Sequence, residues 1–98
     1  MIDENGNVKL IDFGFAKFLD DGKTYTLCGT HTYMSPEIIN GKSYGKEADW
    51  WAFGVILYQM ATKLMPFEGE DPMQIMEDIF KKKIDYSMIT NSLLTKLI

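Results

Sequence analysis

The apolar positions change period along the chain, and each change predicts an element. Val8, Leu10 and Asp12 alternate with Lys9 and Ile11 directly after Asn5-Gly6. A two-residue period behind a strong turn signal predicts a short strand or hairpin. The stretch FLDDGKTYTLCGTHTYMSPE holds the breakers Gly22, Gly29 and Pro36 among many hydroxyls. It reads as a long irregular loop, which in a compact domain is functional or disordered. At Ser35-Pro36-Glu37, a capping serine and a proline at the first helical position predict a short helix through Ile39. From Glu47 to Lys63 the chain is apolar nearly all round. That length predicts a helix of about 25 Å. A helix wet on no face must be wrapped by other elements. Asp71 and Pro72 open a further helix with Met73, Met76, Ile79 and Phe80 on one stripe. Asn91 or Ser92 caps a last short helix carrying Leu93, Leu94, Leu97 and Ile98. The fold class this pattern predicts is mainly α, with a small amino-terminal β element, a buried central helix and one or two more helices.

Composition narrows the classes. Ninety-eight residues make one modest domain at most. The net charge is -4 and no dense basic stripe is present, which argues against nucleic-acid binding through phosphates. The run Lys81-Lys82-Lys83 follows the Pro72 helix and complements a helix carboxyl end. Three lysines are too few for a membrane-surface patch. The longest apolar run, Trp50 to Met60, is short of the roughly 17–25 residues a bilayer span needs. The single cysteine, Cys28, permits no internal disulfide and fits a reducing compartment. No secretory leader pattern opens the chain. Together these predict a soluble, cytoplasmic protein.

Candidate chemistry begins at Asp12-Phe13-Gly14. A carboxylate after a strand can hold Mg²⁺ against nucleotide phosphates, because the hard cation takes oxygen ligands. A phenylalanine packed inward would fix the direction of that carboxylate, and a glycine would let the backbone turn at once. The tripeptide alone is weak, and a surface aspartate at a strand end is its bland reading. Cys28 has no cationic neighbour in view and reads as a packed thiol. His31, the only histidine, reads as a loop residue. Thr24 and Tyr25 read as solvated loop residues, and Met73, Met76 and Met88 as core filler.

Further motifs follow in order: TYTLCGTHTYMSPE, then DWWAFGVILY. With Asp12-Phe13-Gly14 they resemble the carboxyl lobe of eukaryotic serine/threonine protein kinases. The wording DFGFAK, LCGT and ADWWAFGVILYQM is similar to the cyclic-nucleotide-dependent branch of the AGC group. The resemblance runs from Met1 to about Leu97 and implies a partial kinase carboxyl lobe over residues 1–98. It implies ATP and Mg²⁺ as cofactors, with Asp12 the Mg²⁺ ligand and Phe13 and Gly14 completing its motif. It implies that Thr26 is the activation-loop phosphorylation site and that Lys17 helps hold its phosphate. Thr30 would steady the catalytic base. Leu27 and Met34 would wall the pocket for the substrate residue after the phosphoacceptor. Glu37 and Asp49 would be structural anchors, one in the Ser-Pro-Glu triplet and one holding the catalytic loop. A protein substrate or a regulatory subunit is the implied partner, on a face formed by the short helix, the loop after it and the Pro72 helix.

Departures accompany the matches. His31 and Thr32 stand where the family has proline and an acid, Ser35 where it has alanine, and Gln59 where it has an acid that engages a basic substrate residue. The glycine-rich loop, the strand lysine with its helix glutamate, and the catalytic loop have no counterpart among the residues before Asp12. The expectation is an incomplete kinase product, inactive by itself, with Trp50, Trp51 and Phe53 uncovered. The alternative is a non-catalytic binding module.

Overall fold

The structure, a computed structural model, describes residues 1–20, 22–24 and 31–98. A 3₁₀ turn, His31–Tyr33, leads into α1 (Pro36–Ile39), α2 (Glu47–Thr62), α3 (Pro72–Lys81) and α4 (Ser92–Leu97). The chain is mainly helical, as its pattern predicts.

The amino-terminal hairpin forms, but it is minimal. Ile2 and Val8 make one antiparallel bridge, and Gly6 supplies the positive φ of +82° in the turn. The Asp3 carboxylate accepts from the backbone N–H of Asn7 at 2.8 Å and of Asn5 at 3.0 Å. These bonds, that from Asn7 foremost, hold the carboxyl below its usual range. The strand predicted through Asp12 has no ladder beyond this bridge among the described residues. Alternation marks a strand only where a partner strand is at hand, and Val8 and Leu10 both remain exposed.

In α1, Pro36 takes the first turn as predicted, with Ser35 extended at the cap. The serine does not cap with its side chain, however. Ser35 is wholly buried and its Oγ has no hydrogen-bond partner among the described residues. A buried hydroxyl without a partner costs about 1–3 kcal/mol. Ser35→Ala is therefore expected to raise the melting temperature, by roughly 1 kcal/mol of added stability. A lower melting temperature in a thermal scan would show that the hydroxyl is satisfied.

α2 ends as a helix should. Lys63 enters the left-handed region at φ 62° and its N–H reaches back to the Gln59 carbonyl at 2.8 Å. Its Ala48, Val55, Tyr58 and Thr62 are buried. Trp51 stacks on Phe67, with centroids 5.7 Å apart and planes 8° apart. The expected wrapping on all sides fails on the other face, where Trp50, Phe53, Ile56 and Met60 are exposed. The periodicity is silent about this, because a face covered by core and a face awaiting cover read alike. Trp51, expected to be uncovered, lies on the packed side.

α3 starts as predicted: the Asp71 carboxylate accepts from the Gln74 N–H at 2.9 Å, and Pro72 follows. Its inward stripe keeps Ile79 of the predicted one, loses Met73 and Phe80, and gains Ile75. Ile75 and Ile79 pack inward, whereas Met73 and Phe80 are exposed. The cluster of Val55, Phe67 and Ile79, flanked by Tyr33, Ile39 and Ile84, is the core. It joins α2 and α3 to the segment around the 3₁₀ turn. The Tyr58 hydroxyl donates to the Asp85 carbonyl at 2.9 Å and ties the stretch after α3 to α2. Lys81 pairs with Glu77 at 2.8 Å and Lys82 with Asp78 at 3.6 Å, so the basic run serves the helix end. Asn91 caps α4 through the Leu94 N–H at 3.2 Å.

Candidate functional site

Residues 10–20 lie across from the first half of α2, and the two enclose a cavity of about 1040 Å³. Asp12 and Lys17 of the former stretch, Met34, and Asp49 of α2 all line it. Aromatic rings of Phe13 and Trp50 complete its walls.

Asp12 stands in the left-handed region, φ 61°. Aspartate tolerates this conformation better than most residues, since its short carboxylate bonds locally. Here one oxygen, Oδ1, accepts from the Gly14 N–H at 3.2 Å. The turn expected at the glycine is thus made by the aspartate, in the left-handed region. Gly14 serves by its missing Cβ, which would sit 3.2 Å from the same oxygen. Phe13, expected to pack inward, is 65% exposed instead. No hydrogen bond to the second carboxylate oxygen occurs among the described residues.

Lys17 donates from Nζ to Thr24 Oγ1. Thr24 is buried, contrary to its reading as a solvated loop residue. It makes both backbone bonds of an antiparallel bridge with Tyr44, N to O at 2.7 Å and O from N at 2.9 Å. The neighbouring Gly45 must lack a side chain, because a Cβ would fall 2.6 Å from the Gly22 carbonyl oxygen. Sequence reasoning missed this clip; its only local trace is the glycine beside Tyr44. The Glu47 carboxylate caps the start of α2. Its own N–H and that of Gly45 lower its pKa, helped by the charge of Lys23. What this contributes is present above the ordinary glutamate value and is lost as pH falls through the lowered one.

Met34 is buried behind the cavity. Glu37 is half-buried on α1, and among the described residues no cation lies within ion-pair distance of it. Asp49 is exposed on the first turn of α2 with no side-chain partner among the described residues. The Tyr33 hydroxyl donates to Gln59 Oε1 at 3.3 Å, a contact that sequence reasoning did not find. His31 sits in the 3₁₀ turn, and no cluster of metal-ligating side chains occurs among the described residues. Thr26, Leu27 and Thr30, with Cys28, lie outside the described residues.

The sequence profile of the protein kinase domain matches residues 1–96. The chain belongs to the protein kinase family. It is 43% identical over 86 residues to cAMP-dependent protein kinase type 3 of Saccharomyces cerevisiae, covering 88% of this chain and 21% of that protein. It is 44% identical over 86 residues to the human cAMP-dependent protein kinase catalytic subunit PRKX, covering 88% of this chain and 24% of that protein. Ribosomal protein S6 kinase alpha-3 of Homo sapiens is 43% identical over 86% of this chain and 12% of its own length. These relatives place the kinase segment in the AGC group. The chain spans about a fifth of the length of the first of these relatives. Among the described residues no helix of this kinase segment is long and apolar enough to cross a membrane.

Proposed function

We propose that these 98 residues are a segment of a serine/threonine protein kinase domain that supplies one Mg²⁺ ligand and part of a peptide-docking surface. They do not transfer phosphate alone. The observation that carries this reading is the convergence of Asp12, Lys17, Met34 and Asp49 on one cavity in a chain of this family.

Asp12 fits the metal as a single ligand. Mg²⁺ typically takes one or two protein carboxylates and completes its shell with phosphates and water. A lone, exposed carboxylate with one oxygen turned to Gly14 meets that need and no more. When bound, the metal would bridge and neutralise nucleotide phosphates. The rest of the machinery is not within these residues, which hold no G-x-G-x-x-G run to cover the phosphates. Without a base and a phosphate clamp, the terms that lower the barrier to phosphoryl transfer are missing.

In the same reading Thr26 is the phosphorylated residue of the activation loop, and its phosphate adds roughly -1.5 to -2 charges. Lys17, which donates to Thr24 two positions before Thr26 in the sequence, is its cation. Thr30 supports the base, and Leu27 with Met34 walls the pocket for the residue after the phosphoacceptor. Glu37 and Asp49 are anchors whose partners belong to the wider kinase domain. A second reading is a non-catalytic binding module, favoured by the packing of α3 against α1 and the 3₁₀ turn as one face. Thermal shift with Mg²⁺-ATP separates the two. The kinase-segment reading expects a rise in melting temperature that Asp12→Ala abolishes. No shift, with binding to a protein partner retained, would favour the module.

A further inference from the structure

The chain holds two asparagine-glycine pairs, Asn5-Gly6 and Asn40-Gly41. At such a pair the backbone nitrogen of the glycine can reach the side-chain carbonyl before it, because no Cβ blocks the approach. Both glycines have positive φ, 82° and 66°, and nothing lies within 4 Å of where a Cβ would sit. Both asparagines are exposed, and neither side-chain amide makes a hydrogen bond among the described residues. Local chemistry therefore treats the two pairs alike, and the fold separates them. Asn40 closes α1. Its N–H donates to the Pro36 carbonyl at 3.0 Å, that of Gly41 to Ile38 at 3.0 Å and that of Lys42 to Glu37 at 2.9 Å. Ile39, just before it, packs against the core, and α1 packs on α3. Freeing the Gly41 nitrogen means loosening that packing. Asn5 sits in the amino-terminal hairpin, which contributes no residue to the core. Residues 1–9 are exposed except for the half-buried Asp3. The Gly6 N–H is held only by the Asp3 carbonyl at 3.0 Å, inside a hairpin with a single bridge. Segments with so few buried contacts open at the lowest cost in free energy.

We propose that Asn5 is a site of spontaneous covalent modification, at which the side-chain amide is lost and the residue becomes aspartate or isoaspartate while Asn40 is protected. Once the turn opens, the Gly6 nitrogen attacks the Asn5 side-chain carbonyl carbon. The bond from that carbon to the amide nitrogen breaks, and ammonia leaves with the proton of the Gly6 N–H. Water then opens the resulting succinimide at either carbonyl, so asparagine and water become an acid and ammonia. The product adds one negative charge beside Asp3 and Glu4. Where isoaspartate forms, the main chain also gains a methylene between Asp3 and Asn7. The bonds from the Asn5 and Asn7 N–H groups to the Asp3 carboxylate, which close the turn, then no longer fit.

The test is a time course on the pure 98-residue chain at neutral pH, in buffer and in denaturing urea. Digestion and liquid chromatography with mass spectrometry follow the acid formed at each asparagine. In buffer Asn5 is expected to convert at least about threefold faster than Asn40, and in urea the ratio should fall towards one, since neither turn is then held. Asn5→Gln, whose longer side chain must close a larger ring, should abolish conversion there and leave the rate at Asn40 and the circular dichroism unchanged. A smaller ratio in buffer, or an equal ratio in buffer and urea, would overturn the proposal.

Discussion

Phe67→Ala is expected to unfold the chain at or near room temperature. Phe67 is 2% exposed and lies at the centre of the core, stacked on Trp51 and packed with Val55 and Ile79. Truncating a buried phenylalanine costs about 3–5 kcal/mol through lost transfer energy and the cavity left behind. A domain of this size has a total of roughly 5–15 kcal/mol, and the open face of α2 places this one low in that range. The melting temperature should fall by about 12 °C or more. Far-ultraviolet circular dichroism during a thermal scan measures it. A fall of only a few degrees would mean that Phe67 is not the centre of the core.

The second large effect is expected at Gly69. A Cβ there would lie 2.6 Å from Gln74 Cβ and 2.7 Å from the Ile75 nitrogen. The obstacle is the backbone of the first turn of α3, so no rotamer change relieves it. The helix must shift, and Ile75 and Ile79 withdraw from Phe67 as it does. Overpacking of this kind costs about 1–3 kcal/mol. Gly69→Ala should therefore lower the melting temperature by several degrees while leaving α2 intact. Combined with Phe67→Ala it should add less than its own cost, because both changes disturb the same contact. Full additivity in that double variant would show the two sites to be independent.

Legibility in the sequence depended on how local each cause is. The caps of α3, Asp71 and Pro72, act within one turn, and they read correctly. So did the length of α2, which its apolar run fixes to within a residue at Lys63. The hairpin turn at Asn5-Gly6 is equally local. What failed was tertiary. The strand predicted at Val8–Asp12 finds, among the described residues, only the single bridge from Val8 to Ile2. The wrapping of α2 was inferred from hydrophobicity, which is the same whether a face is covered or open. Thr24 looked like a solvated hydroxyl, and only its bridge to Tyr44, twenty residues on, buries it. At Asp12 the motif was visible, but the left-handed backbone of the aspartate itself was not, since the turn was expected at the glycine. Of the charged groups lining the cavity, Asp12, Lys17 and Asp49 were legible through family resemblance, and Asp20 and Lys46 were not. Their meeting at one cavity followed from the fold.

The most direct test follows γ-phosphate from radiolabelled ATP·Mg²⁺ to a serine- or threonine-containing peptide, with the purified 98-residue chain as the sole protein. Incorporation no greater than the protein-free blank is the predicted result. Turnover above blank that Asp12→Ala removes would contradict it, for these residues would then contain a complete catalytic site.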